Sequence, residues 1–175
     1  HLEKLNIVVK NTETDTRNVV TLFPNLKKME IWGGHLNDQN LPDEIGNLTS
    51  LESLHLVSCG LNDLPESFIN LKQLKELNLR GNGINVFPEV ITQLENLEIL
   101  EIQQSLTKLP DSLSNLKKLS KLNLNSALNG GNMDVAGDFL NEDKIYLKPI
   151  PEVIGKLENL KDLNLGICGV FDVTP

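Results

Sequence analysis

The chain has 175 residues and a formal net charge of -8 at pH 7, and it is long enough to bury a substantial core as one domain. Its acidity makes nucleic acid a poor partner, because a phosphate backbone would be repelled. The sequence contains no apolar run of about 18 residues that could span a membrane. Only 4% of the residues are aromatic, so aliphatic side chains must build the core, as in stacked repeats.

A short apolar pattern recurs along the whole chain. An apolar residue is followed three and five positions later by two more, as in Leu74-Leu77-Leu79. This alternation predicts a strand with one buried face. Successive strand centres lie 24, 25, 23, 23, 22 and 41 positions apart. We therefore predict seven strands, centred on Leu5, Met29, Leu54, Leu77, Leu100, Leu122 and Leu163.

The segments between the strands are also alike. Five of the six segments contain a proline followed directly by Asp or Glu. Proline suits the first turn of a helix, and an acidic residue there interacts favourably with the helix dipole. The first connection, from Val8 to Asn25, lacks this motif, and we expect Val19, Val20, Leu22 and Phe23 to pack there as a variant helix. The five similar segments are LPDEIGNL, LPESFINL, FPEVITQL, LPDSLSNL and IPEVIGKL, which start at Leu41, Leu64, Phe87, Leu109 and Ile150.

These strands and return segments resemble leucine-rich repeat proteins with units of about 23 residues. The LP-x-x-I-x-x-L form is similar to the class found in bacterial and plant intracellular proteins and in Ras-binding scaffolds. The resemblance covers essentially the whole chain and implies an α/β, right-handed solenoid arc. A parallel sheet would line its concave side, with short helices or turns on the convex side. We expect one domain over residues 1–175 whose array is cut at the C-terminal end, so that either more chain exists in the natural protein or a partner covers an end.

The two cysteines occupy equivalent turn positions, which many members of this family fill with Asn or Cys. Cys59 and Cys168 are four strand steps apart, about 19 Å at sheet spacing, which is beyond disulfide reach. We therefore expect free, buried thiols and no Cys59–Cys168 disulfide. Asn82 is the one asparagine in this position, which leaves a continuous asparagine ladder in doubt.

One group of outward-facing residues is apolar. Val8, Trp32 and Val57 form a row on a sheet face that should be wet, and Trp32 is the only tryptophan of the chain. An exposed aromatic patch rimmed by polar groups marks a binding site. The alternative is that the connection from Val8 to Asn25 folds over this row and buries it.

A second outward group carries mixed charge. An imidazole between carboxylates suggests acid–base chemistry or a metal, but no nucleophile, oxyanion donor or metal-ligand spacing accompanies it. The alternative is a set of solvated ion pairs. We predict no catalytic residue, no metal and no cofactor, and we assign the group to partner binding. Its members are Glu30, His55, Arg80, Glu101 and Gln103.

An insertion of about 18 residues interrupts the repeat at roughly 129–148. Long loops on a rigid scaffold often carry recognition, and Tyr146 is its candidate contact. A simple tolerated insertion explains the segment equally well. Its carboxylates, among them Asp134 and Asp138, suggest Ca²⁺, but their spacing matches neither the EF-hand loop nor the glycine-aspartate nonapeptide of calcium β-helices.

The sequence thus predicts a non-catalytic module that binds a protein partner through the concave face and the rim insertion. Two alternatives stay open: the sensing or docking arm of a larger receptor or enzyme, and a surface adhesin. The location is also open. Free cysteines favour the reducing cytoplasm, whereas the start at His1 leaves room for a lost signal peptide and an extracellular or cell-surface protein.

Overall fold

The computed structural model describes residues 2–8, 13–14, 16–33, 35–36, 41–102, 106, 108–124, 148–165 and 171–172. Helix α1 is Thr16–Leu22 and helix α2 is Glu152–Gly155. Four 3-10 helices are Asp43–Asn47, Glu66–Asn70, Glu89–Gln93 and Asp111–Asn115. The strands are β1 Lys4–Val8, β2 Glu13–Thr14, β3 Lys28–Trp32, β4 His35–Leu36, β5 Ser53–Val57, β6 Glu76–Asn78, β7 Ile99–Glu101, β8 Lys121–Asn123, β9 Lys148–Pro149, β10 Asp162–Asn164 and β11 Phe171–Asp172.

The seven predicted strands form one parallel sheet in the order β1-β3-β5-β6-β7-β8-β10. The register places the predicted central residues opposite one another, beginning with Leu5 beside Met29 and ending with Leu122 beside Leu163. Each strand therefore stacks on the next without a shift. The predicted α/β solenoid, with a parallel sheet on one side and short helices on the other, is confirmed.

The core lies between the sheet and the helices and consists mostly of leucine. Met29, Leu54 and Leu77 have no exposed surface, because each inward side chain is covered by the same position of its two neighbours. A fully buried side chain of this size contributes about 1.5–3 kcal/mol. Leu163, in the last strand of the sheet, is 37% exposed.

The proline segments turn the chain back along the outside of the solenoid. Pro65 precedes a 3-10 helix with φ -69°, an angle that its ring fixes in advance. Within that helix Phe68 is fully buried while its neighbour Ile69 is 37% exposed. The helices stack from one unit to the next, and the close approach at Gly46 would bring an added Cβ within 2.5 Å of the Ser67 carbonyl oxygen.

The first connection contains the predicted helix, but one of its residues points away from the core. Val20 is buried, and Val19 and Phe23 pack against the core. Leu22 is 68% exposed, so the expectation that it packs inward is wrong. Residues two apart on a helix are separated by roughly 200° around its axis, which places Leu22 opposite Val20.

Two small parallel pairs accompany the main sheet. Strand β2 pairs with β4, and β9 pairs with β11 through Phe171 and Lys148. The insertion lies outside the described residues apart from its end at Lys148. None of the helices in the described part of the chain has the length and apolarity that crossing a bilayer requires.

Candidate protein-binding face

The outward side chains of the main sheet form a surface that we call the open face. Pairing of β1 with β3 and of β3 with β5 places Val8 beside Trp32 and Trp32 beside Val57. Trp32 is 41% exposed, and Val57 is half-buried. The described part of the first connection therefore leaves much of the indole uncovered. The side chain of Val8 lies outside the described residues.

Charged and amide side chains occupy the adjacent row of the open face. The register brings Glu30, His55, Asn78 and Glu101 next to one another on successive strands. The amide of Asn78 donates a hydrogen bond from Nδ2 to Glu101 Oε2 at 3.1 Å. The row is thus a continuous polar strip beside the apolar one.

Two carboxylates of this strip form ion pairs with lysines, which lie two residues before the strip position on their own strands. Lys4 Nζ lies 3.7 Å from Glu30 Oε1, and Lys121 Nζ lies 3.5 Å from Glu101 Oε1. Both lysine side chains are at least 40% exposed, so each pair is worth little in isolation. Cationic groups of a partner can therefore replace these lysines at little energetic cost.

His55 has the least ordinary environment on the open face. Its Nε2 lies 3.1 Å from Glu76 Oε1, but this buried nitrogen is not aligned for a hydrogen bond. The other oxygen of Glu76 accepts a hydrogen bond from Ser53 Oγ at 3.1 Å. Within the described residues, no group of three or more His, Cys, Asp or Glu could hold a metal ion.

The remaining predicted site residues divide into one that the structure places and two that it does not. Arg80 is exposed and lies two residues after the end of β6, where its backbone N–H donates to Asn78 Oδ1 at 3.1 Å. Gln103 and Tyr146 lie outside the described residues. The structure therefore brings together Trp32, Val57 and the polar strip, with Arg80 at the edge.

Asn82 supports the turn at this edge. Its Oδ1 accepts hydrogen bonds from the backbone N–H groups of Cys59 and Leu61 at 2.9 and 3.1 Å. Its Nδ2 donates to the carbonyl oxygens of Leu56 and Leu79 at 2.7 and 2.8 Å. One side chain thus joins two successive units.

Cys59 confirms the prediction of a buried thiol. It has no exposed surface and no disulfide, and its burial raises the pKa to about 11. A thiol in this state is inert, so Cys59 is a packing residue. Cys168 lies outside the described residues.

Sequence reasoning missed one charged row, at the position immediately before each of the first five strands of the main sheet. Lys27 Nζ lies 2.9 Å from Glu3 Oε1, and Lys75 Nζ lies 2.8 Å from Glu52 Oε2. The hydrogen bond from Lys75 lowers the pKa of Glu52. The signal was present in the repeat spacing, which aligns Glu3, Lys27, Glu52, Lys75 and Glu98 with alternating sign.

Solved structures of other proteins share this fold. A leucine-rich repeat protein of Leptospira interrogans is 26% identical with a TM-score of 0.62, and the match covers 99% of this chain and 45% of that one. TLR13, solved with ssRNA13, is 26% identical with a TM-score of 0.70, covering 94% and 22%. The ectodomain of the Arabidopsis receptor kinase HAESA, solved with an IDA peptide hormone, is 25% identical with a TM-score of 0.57, covering 85% and 23%.

This chain therefore spans less than half the length of each of these three solved chains. No curated protein matches it. A family model described as "Leucine-rich repeat region" matches residues 1–172. Such proteins are often receptors or protein-binding modules and typically non-catalytic, which supports a general role in protein interaction. With nearly its whole length matched, the chain belongs to the leucine-rich repeat family.

Proposed function

We propose that this chain binds a protein partner through the open face, with Trp32 as the central anchor. The observation that carries the proposal is the exposure of the only tryptophan of the chain on a rigid strand, beside the half-buried Val57. Tryptophan is the residue type most enriched among interface hot spots. Its large apolar surface remains in contact with water until a partner covers it.

The polar strip supplies specificity in this proposal. Glu30 and His55 lie beside the anchor, and Glu101 lies three strands away from Trp32 on the same strip. Lysines pair with the two glutamates, and His55 contacts Glu76 of the next strand. Charges at the rim of an interface mainly steer association and reject wrong partners. A matching partner therefore presents an apolar side chain to Trp32 and polar or charged groups along the strip.

Arg80, Gln103 and Tyr146 extend the proposed contact along its edge. Arg80 has an exposed side chain, and arginine is a frequent hot-spot residue. The proposal for Gln103 and for Tyr146 of the insertion rests on their positions in the repeat alone. Val8 completes the row on the other side of Trp32 by its strand register.

Selection of peptides from a displayed random library on the wild-type chain tests this function without requiring the natural partner. Each selected peptide is then measured against Trp32→Ala and against Leu22→Ala. Leu22 is a matched control, because it is also an exposed apolar residue but lies on α1. We expect Trp32→Ala to weaken binding by about tenfold or more, as for a hot spot, and Leu22→Ala to leave it unchanged.

Equal affinity of the selected peptides for wild type and Trp32→Ala would contradict the proposal. Loss of binding in both variants would do so as well, because it would indicate general apolar adhesion. Circular dichroism of both variants checks that neither substitution changes the fold.

The short coverage of the solved chains, 22–45% of their lengths in these three matches, favours a second candidate function. In this candidate the chain is the sensing or docking arm of a longer receptor or enzyme. A related alternative is a surface adhesin, whose partner is a host molecule. The full reading frame distinguishes these possibilities. A catalytic or kinase domain favours the arm, and a secretion signal with an anchor favours the adhesin.

A further inference from the structure

A groove of about 600 Å³ lies away from the open face, where two neighbouring units turn from strand to 3-10 helix. Buried Leu64, Phe87 and Pro88 line it, and Val86 projects from it with 70% of its surface exposed. The groove therefore combines an apolar lining with the most exposed large apolar residue in the described part of the chain.

The exposure of Val86 is not explained by the repeat. The same position, two residues before the proline, is Asp63 in the preceding unit and Lys108 in the following one. Both neighbours place a charged side chain at this surface, as folding alone would favour. A valine that is exposed at this position contributes nothing to the core. We therefore expect Val86 to contact another molecule.

Three carboxylates, Asp63, Glu66 and Glu89, line the same groove. Asp63 Oδ1 accepts a hydrogen bond from the Leu64 N–H at 2.8 Å, and Glu89 Oε2 accepts one from Ser112 Oγ at 3.0 Å. Glu66 and Glu89 also lie in the first turns of their helices. No lysine or arginine lines the groove, and within the described residues none of these carboxylates forms an ion pair. Their negative charge is thus left for a ligand.

We propose that this groove docks a segment of a partner protein in which an apolar side chain is flanked by lysine or arginine. The apolar side chain would cover Val86, and the cationic groups would reach Glu66 and Glu89. Charge complementarity selects this occupant. A second copy carries a net charge of -8, and the insertion at roughly 129–148 has four carboxylates and two lysines, so both are net acidic and match the groove poorly.

The test uses a fluorescein-labelled synthetic peptide of alternating leucine and arginine, with affinity measured by anisotropy against the full chain. Val86→Ser is compared with Ile69→Ser, which removes another exposed apolar side chain without a change of charge. Glu66→Gln/Glu89→Gln is compared with Glu95→Gln/Glu98→Gln, which changes the net charge equally but outside the groove.

We expect Val86→Ser and Glu66→Gln/Glu89→Gln each to weaken binding by about tenfold, while both control variants bind as the wild type does. The affinity should also fall as salt is added, because the carboxylates are exposed. An equal loss in the two double variants would overturn the proposal, since it would show attraction to net charge alone. Full binding by Val86→Ser would overturn it too. Trp32 is unchanged in all four variants, so peptide bound at the open face would be bound equally by all of them and would not produce the expected differences.

Discussion

Asn82 and Cys59 occupy the same position in adjacent units but use it differently. Asn82 satisfies four backbone groups with one amide. Cys59 makes only weak contacts, with its sulfur 3.5 Å from the carbonyl oxygens of Ile31 and Val57. Asn82 therefore joins the turn after β6 to the turn after β5 through hydrogen bonds, whereas the side chain of Cys59 contributes mainly packing.

Replacing Asn82 with Ala should cost about 3 kcal/mol in the free energy of unfolding, because several partly buried backbone groups lose their partner at once. Asn96→Ala is the matched control. Asn96 bonds to Lys72 and Lys118 at the surface, where water can replace it, so we expect a loss below about 1 kcal/mol. Urea unfolding measures both values, and equal losses would contradict the role given to Asn82.

The buried thiol of Cys59 should make stability fall at high pH. Its pKa is raised from 9.0 to about 11 in the folded chain. Between these pH values the unfolded chain releases the proton while the folded chain retains it, so unfolding becomes more favourable as pH rises. The full difference corresponds to about 3 kcal/mol.

The measurement is the free energy of unfolding against pH for wild type and Cys59→Ala. Groups common to both chains cancel in the difference. We expect the wild type to lose stability relative to the variant from pH 9 to pH 11. Parallel curves would show that Cys59 keeps its ordinary pKa.

At the level of the helices, the stacking distance is set by one small residue. Gly46 and Gly155 occupy the same position of their return segments, IGN and IGK. An added Cβ at Gly46 would meet the backbone of Ser67, whereas one at Gly155 would meet nothing within 4 Å. The same substitution should therefore have different effects at the two sites.

Gly46→Ala should destabilise the chain by about 1–3 kcal/mol, because the two stacked 3-10 helices must move apart. Gly155→Ala should be neutral or stabilising by up to about 1 kcal/mol, from helix propensity. Thermal or urea unfolding of the two variants checks this difference. A Gly46→Ala chain as stable as the wild type would show that the stack has free space at this point.

Strands were easier to predict than helices, for a physical reason. Each strand has two inward residues at fixed spacing, so Leu77 and its equivalents fix the register directly. The return segments form short helices, four of them 3-10 helices and the last one α2, and each buries one or two residues. The sequence did not distinguish Phe68 from Ile69 as the buried one. Leu22 was misplaced because Val19, Val20 and Leu22 lie close together on a helix that buries only one side, with Phe23 directly after it.

On the scale of the whole molecule, repetition makes the scaffold predictable and leaves the site largely open. Repeat spacing located Trp32 on the open face, but its exposed fraction depends on what the first connection covers. His55 contacts Glu76 of the next strand, but the two residues occupy different positions along their strands. Aligning equivalent positions of the repeats therefore could not indicate this contact. The groove at Val86 arises between two units, so no single repeat contains it.

The stack also distributes charge around the solenoid. The edge before the strands carries the row of alternating sign from Glu3 to Glu98, in which lysines and carboxylates neutralise one another. In the first turns of the four 3-10 helices, the only charged residues are acidic. These two parts of the molecule thus carry different charge, and the open face carries mixed charge.

The most direct test of the open face uses Trp32 as its own reporter, because it is the only tryptophan. A tryptophan-free peptide selected on the wild-type chain is titrated while indole emission and backbone amide chemical shifts are recorded. We predict a saturable change in emission, with shifts centred on β3 and β5 and extending to Arg80. Saturable binding with unchanged emission and with shifts confined to other surfaces would contradict the assignment of the open face as the partner site.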